Sequence, residues 1–172
     1  MKNVNLKRLK DFVAEGVSNP ELLRKNVSVE VKWNMNDGES QMCSVVVYPL
    51  GKKELDIDQV DFLGGGGRSP NPIQYCLVGL ASCFLSTFAI VCKELNLNVK
   101  SLSVIAKNRM NLSLPLGLDN EKVSEGVEFE IIVDSDDEKE RFEQAKNIAI
   151  SRCPAVWCMQ NSVPVDARIS FT

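Results

Sequence analysis

Histidine is absent from this 172-residue chain, which removes the imidazole base of Ser-His and Cys-His catalysis and the commonest transition-metal ligand together. Any acid–base chemistry must come from carboxylates, thiols, lysines or an outside reagent. A basic excess is missing as well: the net charge is −3, and no run of Lys and Arg carries interleaved aromatics. Phosphate-backbone binding needs such a footprint, so no nucleic-acid partner is expected. There is no CxxC pair, and without histidine a zinc site would need an irregular all-Cys constellation; no metal and no cofactor are expected. Low-complexity tracts and internal repeats are also lacking. Lys2, Lys7, Arg8 and Lys10 crowd the N-terminus, yet no continuous apolar core follows them as a secretory signal requires. Six cysteines without an export signal read as thiols of a reducing compartment, and the expected location is the cytoplasm.

The chain does have enough length and apolar content to bury one core, 44% of its residues being hydrophobic. Residues 1–26 form an N-terminal helical arm, in which Val4, Leu6, Leu9, Phe12 and Val13 make the apolar side of a short helix and "SNPELLRKN" opens another, with Pro20 in its first turn. Residues 27–172 form the main domain. "VSVEVKWN" (27–34) and "QMCSVVVYP" (41–49) alternate on either side of "NDG" and predict a hairpin. "GGGGRSPNP" (64–72) is a flexible connection into a long helix. Strands are expected over 99–110 and 127–134, a helix after Ser135 with Glu138 as its capping-box partner, and a closing strand in "VPVDARISF" (163–171). Helices, a hairpin, a long helix, two strands, a helix and a strand make an α+β fold with a largely antiparallel sheet.

The long helix is the least ordinary segment. From Ile73 to Cys92 its polar residues are Gln74, Ser82, Ser86 and Thr87, and twenty residues just meet the thickness of a bilayer's hydrocarbon core. Every other segment is amphipathic and needs a protein surface, so a buried core helix is expected and no membrane partner. Burying so long an apolar helix in so short a chain is easier when a second subunit covers part of it, which predicts a homodimer.

One of the six cysteines stands out on spacing alone, and it is not Cys83, which lies mid-helix, gains nothing from the helix dipole and reads as a small buried hydrophobe. Along one helix Cys76 and Cys83 are about 10 Å apart, and Cys92 faces away from Cys83, so no disulfide forms within it. A disulfide would have to join the long helix to "SRCP". Cys43, Cys76 and Cys92 read as small buried hydrophobes. Cys153 has a physical case for reactivity, because Pro154 makes it a helix N-cap and Arg152 adjoins it. Trp33 and Trp157 read as core or interface residues.

The run "PNPIQYCLVGLASCFLSTFAIVCKELNLNV", a Cys-Pro some seventy residues later and the closing "VPVDARISF" resemble the osmotically inducible protein C / organic hydroperoxide resistance (OsmC/Ohr) family. That resemblance implies an intertwined homodimer with antiparallel sheets wrapped around long central helices. Carried over residue by residue, it makes Cys83 the peroxidatic cysteine and Cys153 the resolving one. The implied function is that of a thiol peroxidase in oxidative-stress defence: the Cys83 thiolate opens the O–O bond of an organic hydroperoxide, Cys153 condenses with the resulting sulfenic acid, and an external dithiol, such as the dihydrolipoyl group of a lipoylated protein, restores both thiols.

The chain departs from the peroxidase pattern where Ile73, followed by Gln74, replaces a Glu after the Asn-Pro, and where "NMNDGESQ" carries no Arg. A thiolate at Cys83 then needs another source of stabilisation, for which Arg68 and Gln74 are the candidates. The alternative function is that of a non-catalytic OsmC-like protein binding an apolar or electrophilic small molecule at the dimer interface, with Trp157 lining the pocket.

Overall fold

The structure, a computed structural model, describes residues 3–171. By their contacts these residues divide into two compact units: Lys7–Val78, and Gly79 onward together with the residues up to Leu6.

The Lys7–Val78 unit holds helix α1 (Leu6–Ser18, its first residue belonging to the other unit), a 3-10 turn at Pro20–Leu23, and a three-stranded antiparallel sheet of β1 (Val31–Trp33), β2 (Met42–Tyr48) and β3 (Gly51–Ile57) in that order. The predicted hairpin is β1–β2, paired Val31 to Ser44 and Trp33 to Met42, with Asn34–Gln41 beyond it. Sequence reading missed β3. Its signal is the Pro49–Leu50 turn that pairs Tyr48 with Gly51 and returns the chain along β2 to Ile57; lysines and acids on its exposed positions masked the alternation.

The glycine-rich connection after β3 wraps the buried carboxylate of Asp58. The backbone N–H groups of Gly66 and Arg68 donate to that carboxylate, at 3.2 and 2.9 Å for Oδ2, and the Arg68 guanidinium lies 3.9 Å away. Gly65 passes so close to Gln59 that a Cβ would sit 1.9 Å from its carbonyl oxygen, and Gly67 has φ +61, so side chains are excluded from the turn. With the Arg68 N–H as the leading cause, the Asp58 carboxyl is held below its ordinary 3.8, against the opposing effect of its burial. A depressed carboxyl stabilises the fold fully above the unfolded value and loses that contribution as pH falls through the folded value. Asp58→Asn is therefore expected to be less stable than the wild type at neutral pH, and to show a smaller loss of stability between pH 5 and pH 2 when urea midpoints are compared.

Helix α2 (Pro72–Glu94) starts where the Asn-Pro dictates. Pro72 needs no partner for a missing N–H, and Asn71 and Gln74 close a reciprocal capping box: the Gln74 N–H donates to Asn71 Oδ1 at 2.9 Å, and the Asn71 N–H donates to Gln74 Oε1 at 2.8 Å. Tyr75 Oη donates to the carbonyl of Asp56, pinning this first turn to β3.

In the second unit the remainder of α2 is joined by a two-stranded antiparallel sheet, β4 (Ser101–Met110) with β5 (Ser124–Asp134), and by α3 (Lys139–Arg152) and α4 (Pro154–Gln160). Leu80, Phe84, Phe88, Val91 and Cys92 recur at intervals of three and four and form the buried side of α2. Against them pack the inward residues of the sheet, Val104, Val127, Phe129 and Ile131 among them, and the small residues Ala145 and Ala149 of α3. Phe84 stacks on Phe129 with ring centroids 4.7 Å apart. Polar contacts tie α3 to the end of α2, with Arg152 on Glu94 at 2.7 Å and the Arg141 guanidinium donating to the Leu95 carbonyl.

Two sequence expectations change here. Ser135 does not cap α3: its hydroxyl accepts from the Asp137 N–H and donates to the Asn98 carbonyl, a local turn that delays the helix until Lys139, behind Glu138. Residues 163–171 are exposed and belong to no strand. Val163, Val165, Ile169 and Phe171 keep the alternation that predicted one, but a strand is defined by a paired neighbour, and none is present among the described residues.

Candidate thiol site

Cys83 and Cys153, seventy residues apart in sequence, meet with their sulfurs 3.6 Å apart, both as free thiols. Each is delivered by a periodic stripe. Cys83 precedes the fully buried Phe84 by one residue on α2, at the margin of the apolar face, and is partly exposed. Cys153 extends the Ala145–Ala149 stripe by one further turn and is fully buried. At that position Pro154 drives the backbone out of the helical region, to φ −74 and ψ 117. Cys153 consequently ends α3 and opens α4: its N–H donates to the Ala149 carbonyl, and its own carbonyl accepts from Trp157. Pro154 thus sets the break between two helices at the residue whose sulfur faces Cys83.

Burial is the principal influence on the Cys83 thiol and pushes its pKa above the ordinary 9.0. The nearby backbone amide of Ala155 opposes that rise, while Cys153, through its hydrogen bond and its charge, and Cys158, through its charge, add to it. Pro154 has no N–H, so Ala155 supplies the first free donor of α4. With a raised pKa, alkylation of Cys83 by iodoacetamide is expected to accelerate about tenfold per pH unit over a range extending above that of an ordinary thiol. Mass mapping of Cys83 adducts at successive pH values measures this. Cys92, buried and pushed up to about 11, should resist alkylation until the protein unfolds.

The other sequence-derived candidates are placed as follows. Gln74 uses its side-chain carbonyl in the α2 capping box. Arg68 faces Asp58 and lines an open pocket of about 450 Å³ with Trp33, Asn34 and Gln41. Arg152, expected to favour a Cys153 thiolate, is neutralised by Glu94. Cys43 and Cys76 are exposed rather than buried, Trp33 and Trp157 are exposed and so lie outside the core of the chain, and Cys92 is buried as expected. Sequence reading missed both Asp58 and the Ala155 N–H. A backbone donor has no sequence signal, and a lone Asp before a loop is indistinguishable from a solvated charge. Among the described residues no group of His, Cys, Asp and Glu could hold a metal ion.

A model of the OsmC-like protein family matches residues 64–168, which span both the glycine-rich loop and the thiol pair. The chain belongs to the OsmC-like family. A search of curated proteins gives no match. Among solved structures, the chain is similar to an OsmC-like protein from Mycoplasma pneumoniae, at 15% identity and TM-score 0.59 over 79% of this chain and 89% of that one. It is also similar to an organic hydroperoxide resistance protein OsmC from Legionella pneumophila, at 20% identity and TM-score 0.58 over 80% and 92%. A third relative in structure is an OsmC-like protein of unknown function from Vibrio cholerae, at 14% identity and TM-score 0.54 over 77% and 92%. At these identities the likeness is one of fold. It makes α2, the one described helix long and apolar enough to cross a membrane, the core helix of an OsmC-like α+β protein, in keeping with the packing of Phe84, Phe88 and Val91.

Proposed function

We propose that this OsmC-like protein is a thiol peroxidase that reduces organic hydroperoxides through Cys83 and Cys153, as a cytoplasmic homodimer acting in oxidative-stress defence. The observation that carries the proposal is the 3.6 Å approach of two free thiols, one partly exposed to substrate and the other fully buried. The Cys83 thiolate attacks the distal peroxide oxygen, the O–O bond breaks, and the alcohol leaves with a proton. Cys83 is then a sulfenic acid. The Cys153 thiol displaces its hydroxyl as water and the disulfide forms. An external dithiol, the lipoyl arm of a protein among the candidates, takes up the two oxidising equivalents.

Pairing with a second copy is supported by the unpaired alternating segment 163–171 and by the exposed apolar side chains of α2, Ile73 and Val78. In this scheme the Ala155 backbone amide favours the Cys83 thiolate, while Arg68 pairs with Asp58 and Gln74 closes the helix cap. A raised thiol pKa makes for a slower enzyme at neutral pH than one with a cationic partner, with a rate that climbs as the solution becomes alkaline.

The test is consumption of cumene hydroperoxide by the reduced protein with excess dihydrolipoamide. Catalytic turnover that rises with pH supports the proposal. A protein that consumes no peroxide at any pH from about 6 to about 9, the range in which a thiolate gains population, overturns it and leaves the fold assignment in place.

A further inference from the structure

Helix α1 carries a pattern that the thiol chemistry leaves unused, and it lies outside residues 64–168. At about 100° per residue, Leu6, Leu9, Phe12, Val13, Gly16 and Val17 fall within one arc of about 140°. Lys10 stands just beyond one border of that arc and Arg8 just beyond the other, with Lys7 farther round on the side of Lys10. Asp11 and Glu15 occupy the middle of the polar side. Gly16 is buried because the 3-10 turn folds back onto it: a Cβ there would collide with the Leu23 side chain. The rest of the apolar side is open. Phe12, Val13 and Val17 of the helix and Leu22 and Leu23 of the turn are exposed, and the Lys25 ammonium lies 5.5 Å over the Phe12 ring.

The arm also differs in charge from the rest of the chain. Six Lys and Arg against three Asp and Glu give residues 1–26 a net charge of +3, so the remaining residues carry −6. We propose that α1 and the Pro20–Leu23 turn dock on an anionic lipid surface, the helix lying flat with Phe12, Val13 and Val17 below the headgroups. In that pose Lys10 and Arg8, at the two borders, lay their stems along apolar surface and reach the headgroup phosphates. Asp11 and Glu15 face water. The acidic remainder is repelled by the same surface, so the molecule approaches arm first. A groove on a second copy would cover the apolar side equally well, but it gives no reason for cations to line both borders. Two α1 helices meeting across a two-fold axis would set those cations against each other. The expectation of no membrane partner concerned α2 as a span; a helix in the plane of the interface is a different mode and leaves α2 in its core. Docking of the arm does not depend on the peroxidase chemistry.

The experiment is cosedimentation of the full chain with vesicles of phosphatidylcholine alone and of phosphatidylcholine mixed equally with phosphatidylglycerol. The wild type is expected to pellet with the mixed vesicles and to stay in solution with the neutral ones. Salt at about 1 M, where the Debye length falls to about 3 Å, should release it. Two double variants separate the contributions: Val13→Asn with Val17→Asn, and Lys7→Gln with Lys10→Gln. Each should bind the mixed vesicles about tenfold more weakly. All four positions are exposed, so urea midpoints should match the wild type. Wild-type protein that stays in solution with the mixed vesicles, or pellets equally with both kinds, overturns the proposal, as do variants that bind as tightly as the wild type. Light scattering without lipid tests the competing occupant, and an unchanged mass is expected in both variants. A Val13→Asn, Val17→Asn protein that passes from dimer to monomer would assign this face to a second copy and overturn the lipid surface as its partner.

Discussion

Cys83→Ser is expected to lower organic hydroperoxide consumption by at least about a thousandfold, the scale of loss seen when a catalytic nucleophile is removed. A serine hydroxyl at this site has no means of ionising: burial, the leading influence on the thiol, acts still more severely on an alkoxide, and no histidine exists to take its proton. Cys153→Ser should behave differently. It retains Cys83, so one equivalent of peroxide is still consumed and the product stops at sulfenic acid, which dimedone traps. Multiple turnovers should then cease unless a small thiol takes over from Cys153. The pair of variants separates attack from resolution, and progress curves with dihydrolipoamide read both. Similar first-turnover consumption by Cys83→Ser and wild type would remove Cys83 from the chemistry.

The largest effect on stability is expected at Phe84. Its side chain is fully buried, stacked on Phe129 at 4.7 Å and close to Phe88 at 6.1 Å. Phe84→Ala should cost about 3–5 kcal/mol, combining lost transfer free energy with a cavity that the flanking sheet and α3 fill only in part. Chemical denaturation should show that loss as a lower midpoint with an unchanged slope. Because Phe84 is the immediate neighbour of Cys83 and its ring anchors this part of α2 to β5, the same variant should also slow Cys83–Cys153 disulfide formation. The thiols are held at 3.6 Å by the packing of their helices and a weak hydrogen bond, not by a covalent bond. Wild-type stability in Phe84→Ala would mean that the stacked rings are not the centre of the core.

Much of this was legible in the residues, wherever a pattern was local. The Asn-Pro entry to α2, its long apolar stretch, the strands at β4 and β5, and the stop at Cys153-Pro154 each follow from short-range rules of spacing and backbone geometry. The meeting of Cys83 with Cys153 is not local. Pro154 marked Cys153 as a helix N-cap, and helix spacing pointed a disulfide from the long helix toward it, but neither picked out Cys83; the resemblance to the OsmC/Ohr family supplied that pairing. What went unseen had its cause outside the window being read. The charged positions of β3 hid a strand that is recognisable by its turn. The segment 163–171 alternates like a strand but finds no partner among the described residues. Asp58 looked like any loop carboxylate until the glycine-rich run folded over it, and Ala155 matters through its amide alone.

The central claim is that Cys83 and Cys153 form a peroxide-driven redox pair, and the most direct measurement is anaerobic. Fully reduced protein receives one equivalent of cumene hydroperoxide, is quenched and alkylated within seconds, and is digested for mass mapping. The account predicts loss of the peroxide, loss of two free thiols per chain, and a peptide pair linked through Cys83 and Cys153. Peroxide left unconsumed, with both residues recovered as alkylated thiols, would contradict it.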